Sequence, residues 1–429
     1  MRGYNAFPFL KDIYYVRTAG SVEEEKAAKA IQEEIKKLGG EASIEEFEVD
    51  STDVKNAKLF FNDGSVELEC AGVGYSGCTP KEGITGGFFY ATCKEAAEIT
   101  NLKGKIIFSD TKRVPHFLYE KAIKDGAVGL IVSTGSVYKK DKDVDLDPYL
   151  NRELDYKLGK IPTVMVRKKA IEKVLERMPK NATIVLETED LKKTSRNVVA
   201  EIKGSKYPDE IMVFTAHFDS VSYSKGAYDN GTGVISLLQI YEYFKRNVPA
   251  RSMKFIFCGA EEMGLLGSKA YVEKHADEVK DKVIFNINID MVAATLGRDI
   301  ACVTGDNNIV NYLNYMYKEV GFPLHVYQGV YSSDSTPFAD KGVPAVSFAR
   351  LSGQGGAVIH SHDDVIERLS VENFNKTMDF IIKFADRMIN SYSFPIEKAM
   401  PDNMKADIDK YFERKKDDKE EKTKKSYEL

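Results

Sequence analysis

The chain has 429 residues, 43 % hydrophobic and 30 % charged, with 61 basic residues mixed among 66 acidic ones for a net charge of −5. That length allows two or three domains with a large core, and the charge mixing excludes the basic face that a nucleic-acid binder needs.

Residues 21–38 read as an amphipathic helix. Ser21 and Glu24 form a capping box, Gly39 and Gly40 end the helix, and Ala27, Ile31, Ile35 and Leu38 make its buried stripe. Alternation over 44–49 predicts a strand. Residues 51–195 then change character, with short β-like runs at 59–61, 105–108, 129–132 and 164–166 and one short helix over 117–124 ending at Gly126. The only histidine there is His116, so the stretch is expected to be an inserted, separately packed β-rich domain that flanks the site and restricts substrates.

From Asn197 onward apolar strands alternate with amphipathic helices: strands at 211–216, 253–258, 283–289 and 343–348, and helices at 234–244, 265–273, 309–320 and 374–389. This rhythm predicts an α/β fold, a mixed, mostly parallel sheet sandwiched by helices. The catalytic body is expected to be residues 1–50 with 196–395. Residues 396–429 are a charged tail, rich in Lys, Asp and Glu over 414–421, expected to be solvated or frayed.

The five cysteines, Cys70, Cys78, Cys93, Cys258 and Cys302, are odd in number and hold no Cys-x-x-Cys pair. A disulfide framework or a thiolate zinc site is therefore not expected. No run of about 18 apolar residues predicts a membrane span. Residues 1–5 lack the apolar run of a signal peptide, which makes the cytoplasm the expected location.

Open α/β sheets place their sites beyond the carboxyl ends of the strands. His217 follows one predicted strand, Glu261-Glu262 a second and Asp290 a third, while Asp229 sits in Asp229-Asn230-Gly231-Thr232-Gly233 at a helix start and His360 in a glycine-rich loop. Each motif alone is common; Asp229-Asn230-Gly231, for instance, reads as a turn. Together, three apolar strands deliver acids or an imidazole at one end. Five such ligands, His217, Asp229, Glu262, Asp290 and His360, exceed what one tetrahedral zinc takes. They suit two cations about 3.5–4 Å apart sharing a bridging carboxylate, for which Asp229 is the candidate. Water held by both would lose much of its proton affinity, and a nearby carboxylate could pass its proton to the leaving amine. Glu262 is assigned as ligand and Glu261 as the shuttle. Asp219, two residues after His217, and Asp364, four after His360, fit the task of orienting an imidazole. His362 competes with His360, which is preferred because Ser361 and Asp364 follow it. The expectation is a two-metal hydrolase.

These motifs resemble the M28 family of binuclear zinc aminopeptidases, the bacterial leucyl aminopeptidase and glutamate carboxypeptidase group. The matching stretches are Ala216-His217-Phe218-Asp219-Ser220, Asp229 to Gly233, Gly259 to Ser268, Asn288 to Val292 and His360 to Asp364. The resemblance implies that Asp229 bridges two zinc ions, with His217 and Asp290 on one, Glu262 and His360 on the other, and Glu261 as base. Cobalt and manganese also suit these ligands. It implies a peptide substrate, and likens the insert to a protease-associated domain at 104–107 and 122–132. Family members often carry His within the stretch matching Ser333 to Phe338, where Ser335 stands here.

The expected activity is release of N-terminal residues from peptides. The alternative is a carboxypeptidase or dipeptidase of the same fold, which would need basic side chains for the substrate carboxylate; Arg350 is the nearby candidate. A one-zinc glutaminyl-cyclase relative and a non-catalytic receptor-like homologue fit less well with a complete ligand set. The oligomeric state is left open.

Overall fold

The computed structural model describes residues 4–62, 64–91, 101–140, 143–353, 356–412 and 414. Cys93 and the tail beyond Arg414 lie outside them. The chain divides into two units, Met1–Val49 with Thr194–Leu429, and Asp50–Lys193.

Helix α1 (Val22–Lys37) starts where Ser21 Oγ accepts from Glu24 N at 3.0 Å. The reciprocal half of the expected capping box is absent. The Glu24 carboxylate accepts from Gly20 N at 2.9 Å and turns inward to Ser195 and Arg196. Strand β1 (Ala42–Phe61) carries the chain into the second unit, through β2 (Val66–Leu68), β3 (Ala71–Gly72), β4 (Ile84–Ala91), β5 (Lys105–Ser109), α2 (His116–Asp125), β6 (Gly129–Thr134), α3 (Glu153–Tyr156), β7 (Thr163–Arg167) and α4 (Lys168–Leu175). Strand β8 (Asn181–Ile202) brings it back.

Within the second unit β4, β5, β6 and β7 pair in parallel. Ile107, Leu130 and Val132 pack with Leu118 and Ala122 of α2, while Ile106, Phe108 and Ile131 pack with Ile171 and Val174 of α4. Strand residues alternate between two apolar clusters, so both faces carry a helix. Helices α3 and α4 add to the one short helix that the sequence of this unit suggested.

The first unit continues through β9 (Tyr207–His217), α5 (Thr232–Arg246), β10 (Arg251–Cys258), α6 (Leu266–Lys274), α7 (Ala276–Asp281), β11 (Val283–Ile289), β12 (Arg298–Thr304), α8 (Asn307–Val320), β13 (His325–Gln328), α9 (Ser335–Asp340), β14 (Ala345–Leu351), α10 (Val371–Ile389) and α11 (Asp402–Tyr411). Its strands run in the order β13-β12-β14-β11-β9-β10-β8. β10, β9, β11 and β14 are parallel neighbours, and β8 and β12 are antiparallel to theirs. Met212, Phe214 and Ala216 of β9 belong to one cluster with Leu238 of α5 and Ile381 of α10; Ile211 and Val213 belong to another with Tyr271, Val279 and Phe338. This is a mixed, mostly parallel sheet between helical layers. Phe214 is fully buried and stacks on Phe255 with centroids 5.1 Å apart. Phe214→Ala should cost about 3–5 kcal/mol, as large-to-small aromatic changes in cores do. Denaturant titration would check it, and a loss under about 1 kcal/mol would mean the neighbours close the cavity.

Strands β12 and β13 and helices α7, α9 and α11 of the first unit were not anticipated. β12 and the short edge strand β13 extend the sheet beyond β14. The charged tail begins as α11, whose Met404 and Ile408 are buried against Ala339 and Met400. Tyr411 shares a hydrogen bond with Ser332 at 2.7 Å, and Arg414 donates to Asp340 at 2.5 and 2.9 Å. Residues 402–412 are thus attached, unlike the frayed tail expected, because two apolar side chains one turn apart find a seat. Among the described residues no helix is long and apolar enough to cross a membrane.

Candidate metal centre

Parallel pairing aligns the functional residues before any side chain is considered. Cys258 lies opposite His217, and Asn288 opposite Thr215. His217 and Asp290 therefore stand at the same level, each two residues past a paired position, and Gly259 begins the Glu261-Glu262 loop beside them. Phe348 lies opposite Ile289, so β14 delivers its following loop, with His360, to the same end.

The side chains converge. His217 Nε2 is 3.1 Å from Asp229 Oδ1 and 3.5 Å from Asp290 Oδ1. His360 Nε2 is 3.2 Å from Asp229 Oδ2 and 2.9 Å from Glu262 Oε2. The two Asp229 oxygens thus face two different imidazoles. Glu261 Oε2 is 3.9 Å from His217 Nε2. His217, Asp229 and Asp290 form one group with ligand atoms within 4.8 Å of one another, and Asp229, Glu262 and His360 form another. His362 belongs to neither and faces Asp363 at 3.8 Å.

Electrostatics describe a site short of positive charge. Burial alone would push His217 down, yet Glu261, Asp219, Asp229 and Asp290 override it and hold the ring well above its usual value. His360 likewise rises to about 10, against its burial, under Asp229 and Glu262. Burial pushes Glu262 up to about 7, helped by the Asp229 charge, and raises Glu261 strongly. Asp229 goes the other way: burial would raise it, and the two imidazoles together lower it. Asp290 Oδ1 is buried with no hydrogen-bond partner. Buried carboxylates in excess of the available cations, one with an oxygen left over, fit divalent metal.

The surrounding residues correct several expectations. Asp219 lies beside His217, with its backbone O 3.3 Å and Oδ1 3.5 Å from Nδ1. Its carboxylate also accepts from Glu261 N at 3.0 Å and Glu262 N at 3.2 Å, so besides facing the His217 ring it fixes the glutamate pair. Asp364 does not orient His360. It accepts from Tyr228 N at 2.7 Å and Asp229 N at 3.1 Å, and holds the backbone of the shared aspartate. Ser335 is turned to Ser347 at 2.9 Å; the serine that reaches the site is Ser333, donating to Asp290 Oδ2 at 2.8 Å.

Two further groups carry no sequence signal. The Asn230 amide donates to Ile289 O at 2.9 Å and accepts from Gly233 N at 2.8 Å and Met291 N at 3.1 Å, joining the Asp229 and Asp290 loops. Arg17 is fully buried and donates to Ile13 O, Lys225 O, Gly226 O at 2.8 Å and Phe218 O, bracing the loop between His217 and Asp229. Arg17→Ala strands Phe218 O and Lys225 O, while Ile13 O and Gly226 O keep Tyr15 N and Gly231 N, and buried unpaired polar groups cost about 1–3 kcal/mol each. We expect a stability loss of at least about 2 kcal/mol by that measure, together with weaker metal retention. Thermal melting of metal-loaded protein checks it; an unchanged melting temperature would contradict the bracing role.

Residues 197–385 match the model of peptidase family M28. Aminopeptidase YwaD of Bacillus subtilis is 29 % identical over 427 residues, covering 96 % of this chain and 89 % of that one. Carboxypeptidase Q of Bos taurus is 25 % identical over 296 residues, covering 64 % of this chain and 61 % of that one. The crystal structure of a zinc aminopeptidase from Bacillus subtilis shares the fold at a TM-score of 0.75, with 24 % identity, 92 % of this chain and 98 % of that chain covered. The M28 match spans His217, Asp229, Glu261, Glu262, Asp290 and His360 and omits α1, with Arg17 and Glu24.

Proposed function

We propose that this chain is a zinc-dependent M28 aminopeptidase that removes N-terminal residues from peptides, with two zinc ions bound around Asp229. The carrying observation is that Asp229 Oδ1 and Oδ2 face His217 and His360 separately, at 3.1 and 3.2 Å. His217 and Asp290 with one oxygen of Asp229 would hold one ion; Glu262 and His360 with the other oxygen would hold the second. Cobalt or manganese would fit the same donors. Bound there, divalent cations lower the proton affinity of water and polarise the scissile carbonyl. Glu261, assigned to no ion, accepts the proton of the attacking water and gives it to the departing nitrogen. Asp219 keeps Glu261 and Glu262 in place through their amides.

The choice of chain end rests on charge. A carboxypeptidase needs a free guanidinium or ammonium for the terminal carboxylate. Arg350 is committed elsewhere: it donates to Ala294 O at 2.8 Å and pairs with buried Asp299, which also accepts from Thr377 at 2.8 Å. The site is otherwise lined with carboxylates, which favour an ammonium. A short peptide, its N-acetylated form and its C-amidated form decide the matter by rate of release. Acetylation should stop cleavage and amidation should leave it within about threefold. The reverse pattern would move the chain to carboxypeptidase activity. The unit at Asp50–Lys193 is read as a protease-associated-like module, supported by its parallel strands β4 to β7 with α2 and α4.

A further inference from the structure

Glu261 and Glu262 sit on a loop that leaves β10 at Gly259 and enters α6 at Leu266. The loop is bent against its preferences. Ala260 has φ +51° and Leu265 φ +62°, both in the left-handed region that side chains other than glycine avoid. Such residues persist only where their surroundings over-determine them. Asp219 supplies one constraint, gripping the amides of Glu261 and Glu262. It does not touch the base of the loop.

The base is held by Asn197, in β8 next to the stretch that pairs with β10, which is 1 % exposed. Its Oδ1 accepts from Gly259 N at 3.1 Å, and its Nδ2 donates to Gly267 O at 2.8 Å. One amide therefore bonds both the outgoing and the returning chain. The fit around it is tight. A Cβ on Gly267 would lie 2.2 Å from Gly259 O and 2.5 Å from Asn197 Oδ1, and a Cβ on Gly259 would lie 2.3 Å from Arg196 O. Glu24 backs this arrangement from α1, accepting from Ser195 Oγ at 2.5 Å and Arg196 Nη1 at 3.2 Å.

We propose that Asn197 is a positioning residue that clasps the two ends of the Gly259–Gly267 loop and so sets where Glu261 and Glu262 stand relative to Asp229, His217 and His360. The proposal rests on the aminopeptidase reading for its catalytic consequence. The clasp itself does not depend on it. With the amide removed, Gly259 N loses its acceptor, Gly267 O loses its side-chain donor and keeps only its place in α6, and the two left-handed residues are free to relax. A shift of about 1 Å in a reacting group can cost on the order of 10²-fold in rate.

Asn197→Ala and Asn197→Asp in the full chain, loaded with zinc, test this. The aspartate keeps the acceptor for Gly259 N and loses the donor to Gly267 O. Amide hydrogen exchange should rise in the segment containing Gly264 and Leu266, and zinc should dissociate more readily. On a free-amine peptide kcat should fall roughly 10- to 100-fold for alanine and less for aspartate, with KM changed less than about threefold. A residue that only supports the fold would lower the melting temperature and leave kcat per folded, zinc-loaded molecule unchanged; that result in both variants overturns the proposal. If the alanine variant does not fold, the aspartate variant decides by the same criterion. If the unmodified chain hydrolyses no peptide, the functional reading fails separately. The clasp is then judged by exchange and zinc retention, and no change in either variant overturns it.

Discussion

Glu261→Gln should leave the protein folded and zinc-bound while kcat falls by about 10²–10⁴-fold, the usual loss for a proton-transfer group. The glutamine keeps the shape and the backbone bond to Asp219. It removes the capacity to take a proton 3.9 Å from His217 Nε2. Glu262→Gln should behave differently, because Glu262 Oε2 lies 2.9 Å from His360 Nε2 in the group shared with Asp229. There the expected loss is zinc first and activity as a consequence. Metal content by elemental analysis, beside kinetics, separates the two. Zinc lost from Glu261→Gln and kept in Glu262→Gln would reverse the roles.

Asp229→Ala should be the more severe change, abolishing zinc binding in both halves of the centre. Among the described residues the Asp229 side chain is the only one whose two oxygens reach both imidazoles, at 3.1 and 3.2 Å. Its absence leaves His217 with Asp290, and His360 with Glu262, as separate pairs. Even groups that act behind metal ligands are worth about 10–100-fold in affinity or activity, so loss of the shared ligand should exceed about 100-fold in both. Zinc measured after dialysis against a weak chelator provides the check. Two ions retained per chain would rule out the sharing.

The sequence made the site's membership legible because strand-end placement is a property of the chain itself. Strands such as 211–216 and 283–289 are mostly apolar, and the residue that follows each lies at the carboxyl end of the sheet. Side-chain partners are another matter. Asp364 was expected beside His360 by its spacing, yet it holds the amides of Tyr228 and Asp229, more than a hundred residues away in sequence. Asp219 does lie beside His217 as its spacing suggested, but it also serves amides on the loop after β10, which spacing does not show. Arg17 and Asn197 bond to backbone groups, which every residue carries, so no residue type elsewhere in the chain marks them. β13, with four residues at the sheet's edge, offers too little pattern to be read. Met404 and Ile408 of α11 were hidden among charges.

That last helix bears on how far the chain can be trimmed. Its Tyr411 bonds to Ser332, the neighbour of Ser333, which in turn bonds to Asp290. A chain ending just past Arg414 keeps this contact and is a safe attachment point for a tag or a surface tether. A chain ending at Met400 strips the cover from Ala339 and slackens the segment next to a metal-facing carboxylate. Proteolytic nicking between α10 and α11 would thus act on the enzyme as slow inactivation, although the cut lies outside the stretch that matches the family.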